Sequence, residues 1–360
     1  MNGTNAAYRH LNIALTADPD IPVPPRLYGG AERLIDMLIR GMVKRGHRVT
    51  LFAHPDSSTP ATLVPYPGLS SLSRASTLRN MMTVSSSVLR GDFDIVHSFG
   101  RIAYLLPVLP LTRLPKLMTY QREVTPRSVR WGHRLSRGSL HFSAISRHMI
   151  VGFEKLATWY QVYNGVPIDV YDFVRVVADD SPLVFLGRIE HIKGTHLAIE
   201  IAKRSGRRLV IAGNVPATEK EYFQTQVQPH IDGDRISYVG PVDDVQKNAL
   251  MGSAAAFLMP ILWEEPFGLV MAEAMACGTP VLGLRRGAVP EIVDDGVTGF
   301  VRDDIQALVD CVPRLHELDR SACRRVAEQR FSDDAIVEAY LAVYRKILVA
   351  PAADGRGHVG

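Results

Sequence analysis

The chain is poor in cysteine, in net charge and in long apolar runs, and each shortage removes a class of protein. Its three cysteines, Cys277, Cys311 and Cys323, are too few and too irregularly spaced for a disulfide framework or a zinc ribbon. They read as reduced thiols, which points to a cytosolic protein. Forty-one basic residues against 37 acidic leave a formal charge of only +4. A surplus that small does not call for nucleic acid as a partner, so any basic site must be local. The longest apolar stretch, residues 254–263, is about half of what a bilayer span needs. The first twenty residues lack the pattern of a signal peptide. What remains is ordinary: 360 residues, 46% hydrophobic and 22% charged. That composition suits a globular chain of two domains at roughly 150 residues each.

Short apolar runs rich in β-branched residues alternate with helical patterns. This argues for parallel sheets flanked by helices. In the first half the strand candidates are 12–15, 48–54, 94–99, 116–120, 140–145 and 161–163. In the second half they are 183–187, 208–212, 236–239, 256–260, 280–284 and 299–302. Each half therefore has enough strands for a doubly wound sheet. Residues 164–182 carry two prolines and four aspartates without sustained periodicity, so a linker is expected there. The expected domains are 1–168 and 169–331. A last helix over 332–349 is opened by Ser332 and packs back on the first domain, and a disordered tail covers 350–360.

Doubly wound sheets bind ligands at the carboxyl ends of their strands, and three segments there could hold phosphate. A proline-rich loop ends in Gly29-Gly30, and a helix follows with apolar residues at Leu34, Ile35, Leu38, Ile39 and Met42. Glycines at a helix start let an anion reach the free backbone N–H groups. The plain alternative is a glycine turn, since the G-x-G-x-x-G spacing is absent. The run LVFLGRIEHIKG places Arg188 and Lys193 just past a strand, with Gly194 opening a helix. A planar fork and a mobile point charge suit a diphosphate, although two solvated surface cations would look the same.

The third run, LWEEPFGLVMAEAMACGTPV, is the most informative. Pro266 suits a first helical turn, and Leu269, Met271, Ala272, Met275 and Ala276 form a largely buried helix. Glu265 is expected just outside the helix start and Glu273 two turns in. A carboxylate within so apolar a helix needs a partner. A ligand hydroxyl or a buried cation would serve for Glu273, and a capping or solvated role for Glu265; Glu264 could take either role locally.

The segment EEPFGLVMAEAMACGTPV resembles the retaining glycosyltransferases of family 4, which have the GT-B fold of two facing doubly wound domains with the active site between them. YGGAER, GHRVTLF, DIVHSF, SAIS, VYNGV, FLGRIEHIKG, LVIAG, YVGPV, GAVPEIV and DGVTGF follow in the same order as in that family and cover nearly the whole chain. The resemblance implies transfer of a sugar from a nucleoside-diphosphate sugar, a UDP-sugar as first choice, without a metal or other cofactor. It implies that Arg188 and Lys193 bind the donor diphosphate, and that Gly30, with Gly29 beside it, offers backbone N–H to the phosphates. Glu273 binds the ribose, and Glu265 sits by the transferred sugar. The backbone of Phe267, Gly268 and Leu269 touches the sugar or distal phosphate. Gly187 and Gly213, with the Val239–Gly240 turn, lie near the nucleotide, and His97 faces the sugar or acceptor. Of a front-face reaction and a covalent intermediate, the family favours the former.

Other classes weigh less. A phosphorylase or sugar-nucleotide epimerase on the same fold is one alternative, and a non-catalytic nucleotide-sugar binder is another. A glycoside hydrolase would want two facing carboxylates and no diphosphate site. The sequence also departs from the family. Gln121 stands where a histidine is common, Gly287-Ala288 replaces a glycine pair, and Arg285-Arg286 is unusual. The D-F-D run at 92–94 looks like a metal motif of another fold and is set aside, because a strand begins within it.

In the GT-B fold the N-terminal domain takes the acceptor, which can be a saccharide, a lipid or a small molecule. Arg127, Arg130, Arg134 and Arg137 are spaced for one basic helical stripe, with Trp131 and Leu135 nearby and Arg122 ahead of them. Gln121, Arg122, Arg127 and Arg130 are thus candidate acceptor contacts for a phosphate, a carboxylate or an anionic headgroup; the alternative is a solvated face. Residues 70–86 carry two arginines and two methionines and read as a surface loop, with at most peripheral membrane contact.

Overall fold

The computed structural model describes residues 10–26 and 29–349. The tail expected over 350–360 lies outside them. The strands are β1 (Asn12–Thr16), β2 (Arg48–Ala53), β3 (Thr62–Pro65), β4 (Ile95–Ser98), β5 (Lys116–Tyr120), β6 (Leu140–Ala144) and β7 (Trp159–Gln161), then β8 (Leu183–Leu186), β9 (Leu209–Ala212), β10 (Ile236–Tyr238), β11 (Ala256–Met259), β12 (Val281–Leu284) and β13 (Gly299–Arg302). The helices are α1 (Gly30–Lys44), α2 (Arg74–Arg90), α3 (Val108–Leu111), α4 (Pro126–Leu135), α5 (Thr195–Ser205), α6 (Lys220–Tyr222), α7 (Asp244–Ser253), α8 (Leu269–Ala276), α9 (Val289–Ile292), α10 (Ile305–Cys311), α11 (Arg320–Phe331) and α12 (Asp333–Val349). They form two compact units. Of the described residues, one holds those up to 163 and 336–349, and the other holds 164–335.

The first unit is built on a parallel seven-stranded sheet in the order β3-β2-β1-β4-β5-β6-β7. Ile13 pairs with Val49 on one side and Ile95 on the other, which fixes the register of β2, β1 and β4. Every residue of β4 is buried, as a strand covered on both faces must be. The core joins Ile13, Leu15, Leu38 and Leu51 to Val337, Tyr340 and Tyr344 of α12. The last helix thus completes the core of the first unit. Gly41 gives it room: a Cβ there would meet Val337 Cγ2 at 2.4 Å.

The second unit has six parallel strands in the order β10-β9-β8-β11-β12-β13. Leu183, Phe185, Ile211, Leu258, Leu282 and Phe300 lie in its core. In both sheets chain order runs outward in both directions from the middle. The switch points lie between β1 and β4 and between β8 and β11. Open α/β sheets bind ligands at such points, beyond the carboxyl ends of the strands.

Five expectations are corrected. β3 was not anticipated, and β7 begins two residues before the expected strand start. Residues 70–86 are mostly helix rather than loop, with Ser73 accepting a bond from the Ser76 N–H at the start of α2. The expected linker is bound to the second unit over part of its length: Val174 N–H donates to Cys277 O (3.1 Å), and Arg324 donates to Tyr171 O (2.8 Å). Finally, α8 starts at Leu269, not at Pro266, because left-handed Gly268 (φ 78°) caps it. Glu273 is therefore little more than one turn into a helix of eight residues.

Candidate active site at the second switch point

The loop leaving β8 and the loop leaving β11 are locked together by backbone contact. Gly194 is left-handed (φ 76°), and a Cβ on it would stand 2.0 Å from the Pro260 carbonyl oxygen. Leu262 N–H donates to Ile192 O (2.8 Å) across the same seam. Only glycine permits that approach. The consequence is a side-chain cluster: Lys193 Nζ donates to Glu265 Oε2 (2.8 Å), Trp263 Nε1–H donates to the same oxygen (3.1 Å), and Lys193 lies 4.6 Å from the centre of the Trp263 ring. Glu265 is 8% exposed. A buried carboxylate needs such partners, and an indole face adds cation–π attraction for the ammonium.

A second loop fixes Glu265 from behind. Gly287 is left-handed (φ 54°), and a Cβ there would meet Glu265 N at 2.3 Å. Ala288 N–H donates to Glu265 O, and Gly287 N–H to the Glu264 carboxylate (2.6 Å). The Gly287-Ala288 departure is thus accommodated, since the residue that must be glycine is glycine. Arg286 faces Glu264 at 3.8 Å and Arg285 pairs with Asp303 at 2.9 Å.

Arg188 is half-exposed and paired with Glu190 at 2.9 Å. Each cation of this loop is therefore charge-compensated by its own carboxylate. Gly187, Gly213 and Gly240 mark the carboxyl ends of β8, β9 and β10. Gly213 (φ 143°) would carry a Cβ 1.7 Å from Gly187 O, and its N–H donates to Gly240 O (2.8 Å). Val239 beside them is exposed. Phe267 is a core anchor, with its ring edge-on to Phe331 at 5.7 Å; Gly268 and Leu269 open α8.

Glu273 has the buried cation that was one of its two expected partners. Its Oε1 accepts from Lys247 Nζ (2.8 Å) and from the Tyr171 hydroxyl (2.8 Å). Burial pulls the Lys247 ammonium down, but Glu273 and Asp244 outweigh it and hold its pKa above the usual lysine value. Burial, with Glu273 beside it, raises the Tyr171 phenol. Burial pushes the Cys277 thiol up to about 12, so it is an inert thiol. The two glutamates thus serve separate clusters, one before α8 and one within it. Trp263, Glu190, Lys247 and Tyr171 were not anticipated. Trp263 sits two residues before Glu265 and Glu190 two after Arg188, so both were open to notice; Lys247 and Tyr171 join the site only through the fold.

In the first unit the expected residues scatter. Gly29 precedes α1 and Gly30 opens it, as expected of an anion-binding helix start. That start already holds a carboxylate, however. Glu32 Oε2 lies 2.6 Å from where a Gly29 Cβ would stand, and burial raises the Glu32 carboxyl while Arg122 draws it back. Gln121 and Arg122 follow β5, and Arg127 and Arg130 are exposed on α4.

His97 is the clearest correction. It is wholly buried on β4, its Nδ1 is 2.6 Å from the Tyr344 hydroxyl, and its Nε2 is 2.6 Å from the Thr119 hydroxyl. Burial drops its pKa to about 3. With both nitrogens engaged inside the core, it does not face a sugar or an acceptor in this arrangement. Asp94 accepts from Asn12 N–H (2.8 Å) in a structural bond. Among the described residues no three His, Cys, Asp or Glu side chains converge as a metal site would require, and no helix is long and apolar enough to cross a membrane.

Comparison with known proteins agrees with the architecture. Residues 28–169 match the glycosyltransferase family 4 model and residues 173–330 the model for glycosyl transferases group 1. The D-inositol 3-phosphate glycosyltransferase of Mycolicibacterium smegmatis is 30% identical over 205 residues, covering 52% of this chain and 47% of that protein. The N-acetyl-alpha-D-glucosaminyl L-malate synthase of Bacillus anthracis is 36% identical over 128 residues, 33% of this chain and 32% of its own length. The chain spans about half the length of the first of these relatives and about a third of the second. Among solved structures, a glycosyltransferase involved in avilamycin A biosynthesis is 27% identical with a TM-score of 0.67, covering 95% of this chain and 99% of its own. The Anabaena protein HepE in complex with UDP and glucose superposes with a TM-score of 0.70 at 18% identity, over 94% of this chain and all of its own. Two parallel doubly wound units, matched almost end to end, identify the chain as a member of the GT-B glycosyltransferases.

Proposed function

We propose that this protein moves a sugar from a nucleoside-diphosphate sugar to an acceptor hydroxyl, with retention at the anomeric carbon and without a metal. The observation that carries the proposal is the buried Lys193–Glu265 pair at the switch point between β8 and β11. Breaking the bond between the anomeric carbon and phosphate separates charge: the diphosphate gains negative charge and the sugar ring becomes cationic. Lys193 and Glu265 present that pattern in advance, cation toward the leaving group and carboxylate toward the sugar. Preorganised charge of this kind acts on the transition state more than on the resting donor. Arg188 adds a second cation for the diphosphate, and the backbone of Gly268 and Leu269 at the start of α8 favours the distal phosphate.

Glu273 binds the ribose in this reading. Both its internal donors act on Oε1, which leaves Oε2 for a hydroxyl. The glycine edge of β8 to β10 with Val239 takes the base, and Gly30 offers its N–H to phosphate once Glu32 gives way. UDP-sugar is the favoured donor, since HepE was solved with UDP and glucose. The acceptor is acidic: Arg122, Arg127 and Arg130 with Gln121 receive it, and two relatives have D-inositol 3-phosphate and L-malate in their names.

A thermal-shift screen against UDP-, GDP- and ADP-sugars tests donor binding, because a ligand bound to the native state raises the melting temperature. Lys193→Ala should lower turnover at saturating donor by about two orders of magnitude. Near-normal turnover in that variant, or no shift with any donor, would sink the proposal.

A further inference from the structure

Trp263 is the uncharged member of the cluster around Glu265, and it touches both of the others. Its indole N–H donates to Glu265 Oε2 (3.1 Å), the oxygen that also takes Lys193 Nζ (2.8 Å). The lysine nitrogen lies 4.6 Å from the centre of the indole ring. The three side chains thus close a triangle of cation, carboxylate and indole. Both donors act on Oε2, and among the described residues no donor is bonded to Oε1. One oxygen is held from two directions, and the other is left for a ligand.

Backbone bonds fix the chain on both sides of the indole. Leu262, just before Trp263, donates its N–H to Ile192 O (2.8 Å). Glu265, two residues after it, accepts at its carbonyl from Ala288 N–H (2.8 Å). A half-buried indole has only two side-chain torsions, and between two tethered points it keeps its direction. Lys193 differs in kind. Its ammonium rides on a flexible four-carbon stem and has three donors to give. The described restraints on that ammonium are Glu265 and the indole face. Cation–π attraction at this distance narrows the rotamers of a stem that would otherwise wander.

We infer, resting on the transferase reading above, that Trp263 is a positioning residue for the transfer: it holds Glu265 toward the sugar while Lys193 serves the diphosphate. As the bond to phosphate breaks, negative charge grows on the leaving group and competes with Glu265 for the donors of Lys193. The lysine is therefore the partner whose attraction is divided. The indole has one N–H and no charge, so the growing charge does not draw it off Oε2. Without that N–H, the carboxylate would be held only by the group that the reaction itself loads. The orientation of Glu265 would then loosen as positive charge develops on the sugar, which is when preorganisation acts.

The test compares the full chain with Trp263→Phe, which keeps a ring over Lys193 and removes the N–H. The reaction is hydrolysis of whichever of UDP-, GDP- and ADP-glucose raises the melting temperature most. Trp263→Phe should lower kcat about tenfold, the scale of one hydrogen bond to a charged group, and leave the donor KM within about twofold. In a Glu265→Gln background the same change should cost less than about twofold, because Trp263 acts through that carboxylate. A nitrogen-15 spectrum of the indoles gives a readout free of turnover, and it decides alone if Trp263→Phe melts early. The Trp263 peak should lie downfield in the wild type, and Glu265→Gln should move it upfield while those of Trp131 and Trp159 stay. Equal losses of kcat in both backgrounds overturn the positioning role alone. So does a donor KM that rises while kcat holds, or an indole peak that ignores Glu265→Gln. A wild type that neither binds nor hydrolyses any of the three donors overturns the transferase reading together with it.

Discussion

At the residue scale the site depends on glycines as much as on charges. Lys193 reaches Glu265 because Gly194 turns left-handed against the Pro260 carbonyl. Gly194→Ala would strain the backbone by about 1–2 kcal/mol and add an overlap that only movement of the β8 loop relieves. Denaturant unfolding of this variant should show a loss of more than about 2 kcal/mol, and turnover should fall with it as Lys193 moves. Wild-type stability would mean that the seam between the two loops is soft. Lys193, Glu265 and Glu273 were legible in part: Arg188 and Lys193 between a strand and a helix start suit a phosphate, an apolar helix with one carboxylate ahead of it and one inside it needs partners for both, and the resemblance to family 4 chose among those readings. Their partners were not. Lys247 and Tyr171 lie 26 and 102 residues from Glu273 along the chain, and no local pattern marks such a pair. His97 misled for the opposite reason: a histidine at the end of a strand reads the same whether its ring faces a ligand or, as here, the hydroxyls of Thr119 and Tyr344.

At the element scale, strands buried on both faces announced themselves as apolar runs, and all six of the second sheet were foreseen to within a residue or two. The misses are elements whose local sequence disagrees with their state. β3 is a half-exposed edge strand of four residues ending in proline, and α2 turns serines and an asparagine inward. Tertiary contacts decide such segments. Helix α12 shows what tertiary contact costs in pH range. Its Tyr344 bonds His97 in the core, where burial keeps the imidazole neutral, with a folded pKa of about 3 against 6.5 ordinarily. A depressed histidine pKa means that the unfolded chain takes up the proton first. Its contribution is complete above pH 6.5 and falls by about 1.4 kcal/mol per pH unit toward pH 3. Asp18 acts the other way. Burial raises it to about 6, so between pH 6 and 4 its native state gains a proton and offsets part of the loss. His97→Gln should be less stable than wild type at pH 7, with the gap narrowing by about 2 kcal/mol by pH 5. Thermal midpoints at the two pH values measure this, and parallel curves would refute a neutral buried imidazole.

At the scale of the whole molecule, the Lys193–Glu265 pair that the proposed reading assigns to a sugar donor belongs wholly to the second unit. The chain has three tryptophans, and only Trp263 belongs to the second unit, where it touches both Glu265 and Lys193. It is therefore a built-in reporter. In a Trp131→Phe, Trp159→Phe background, emission comes from Trp263 alone. A donor diphosphate bound at Lys193 sets negative charge beside the cation over the indole face, and so must change the field on that ring. Titration with a UDP-sugar should therefore change the Trp263 emission with saturable dependence, and the Lys193→Ala version of the same background should show little change. At a donor concentration 100 times the dissociation constant, the unfolding transition reported by Trp263 should gain about 2.7 kcal/mol. A saturable emission change without that gain would place the ligand at a site that survives unfolding, and a gain without the emission change would place the donor away from Lys193.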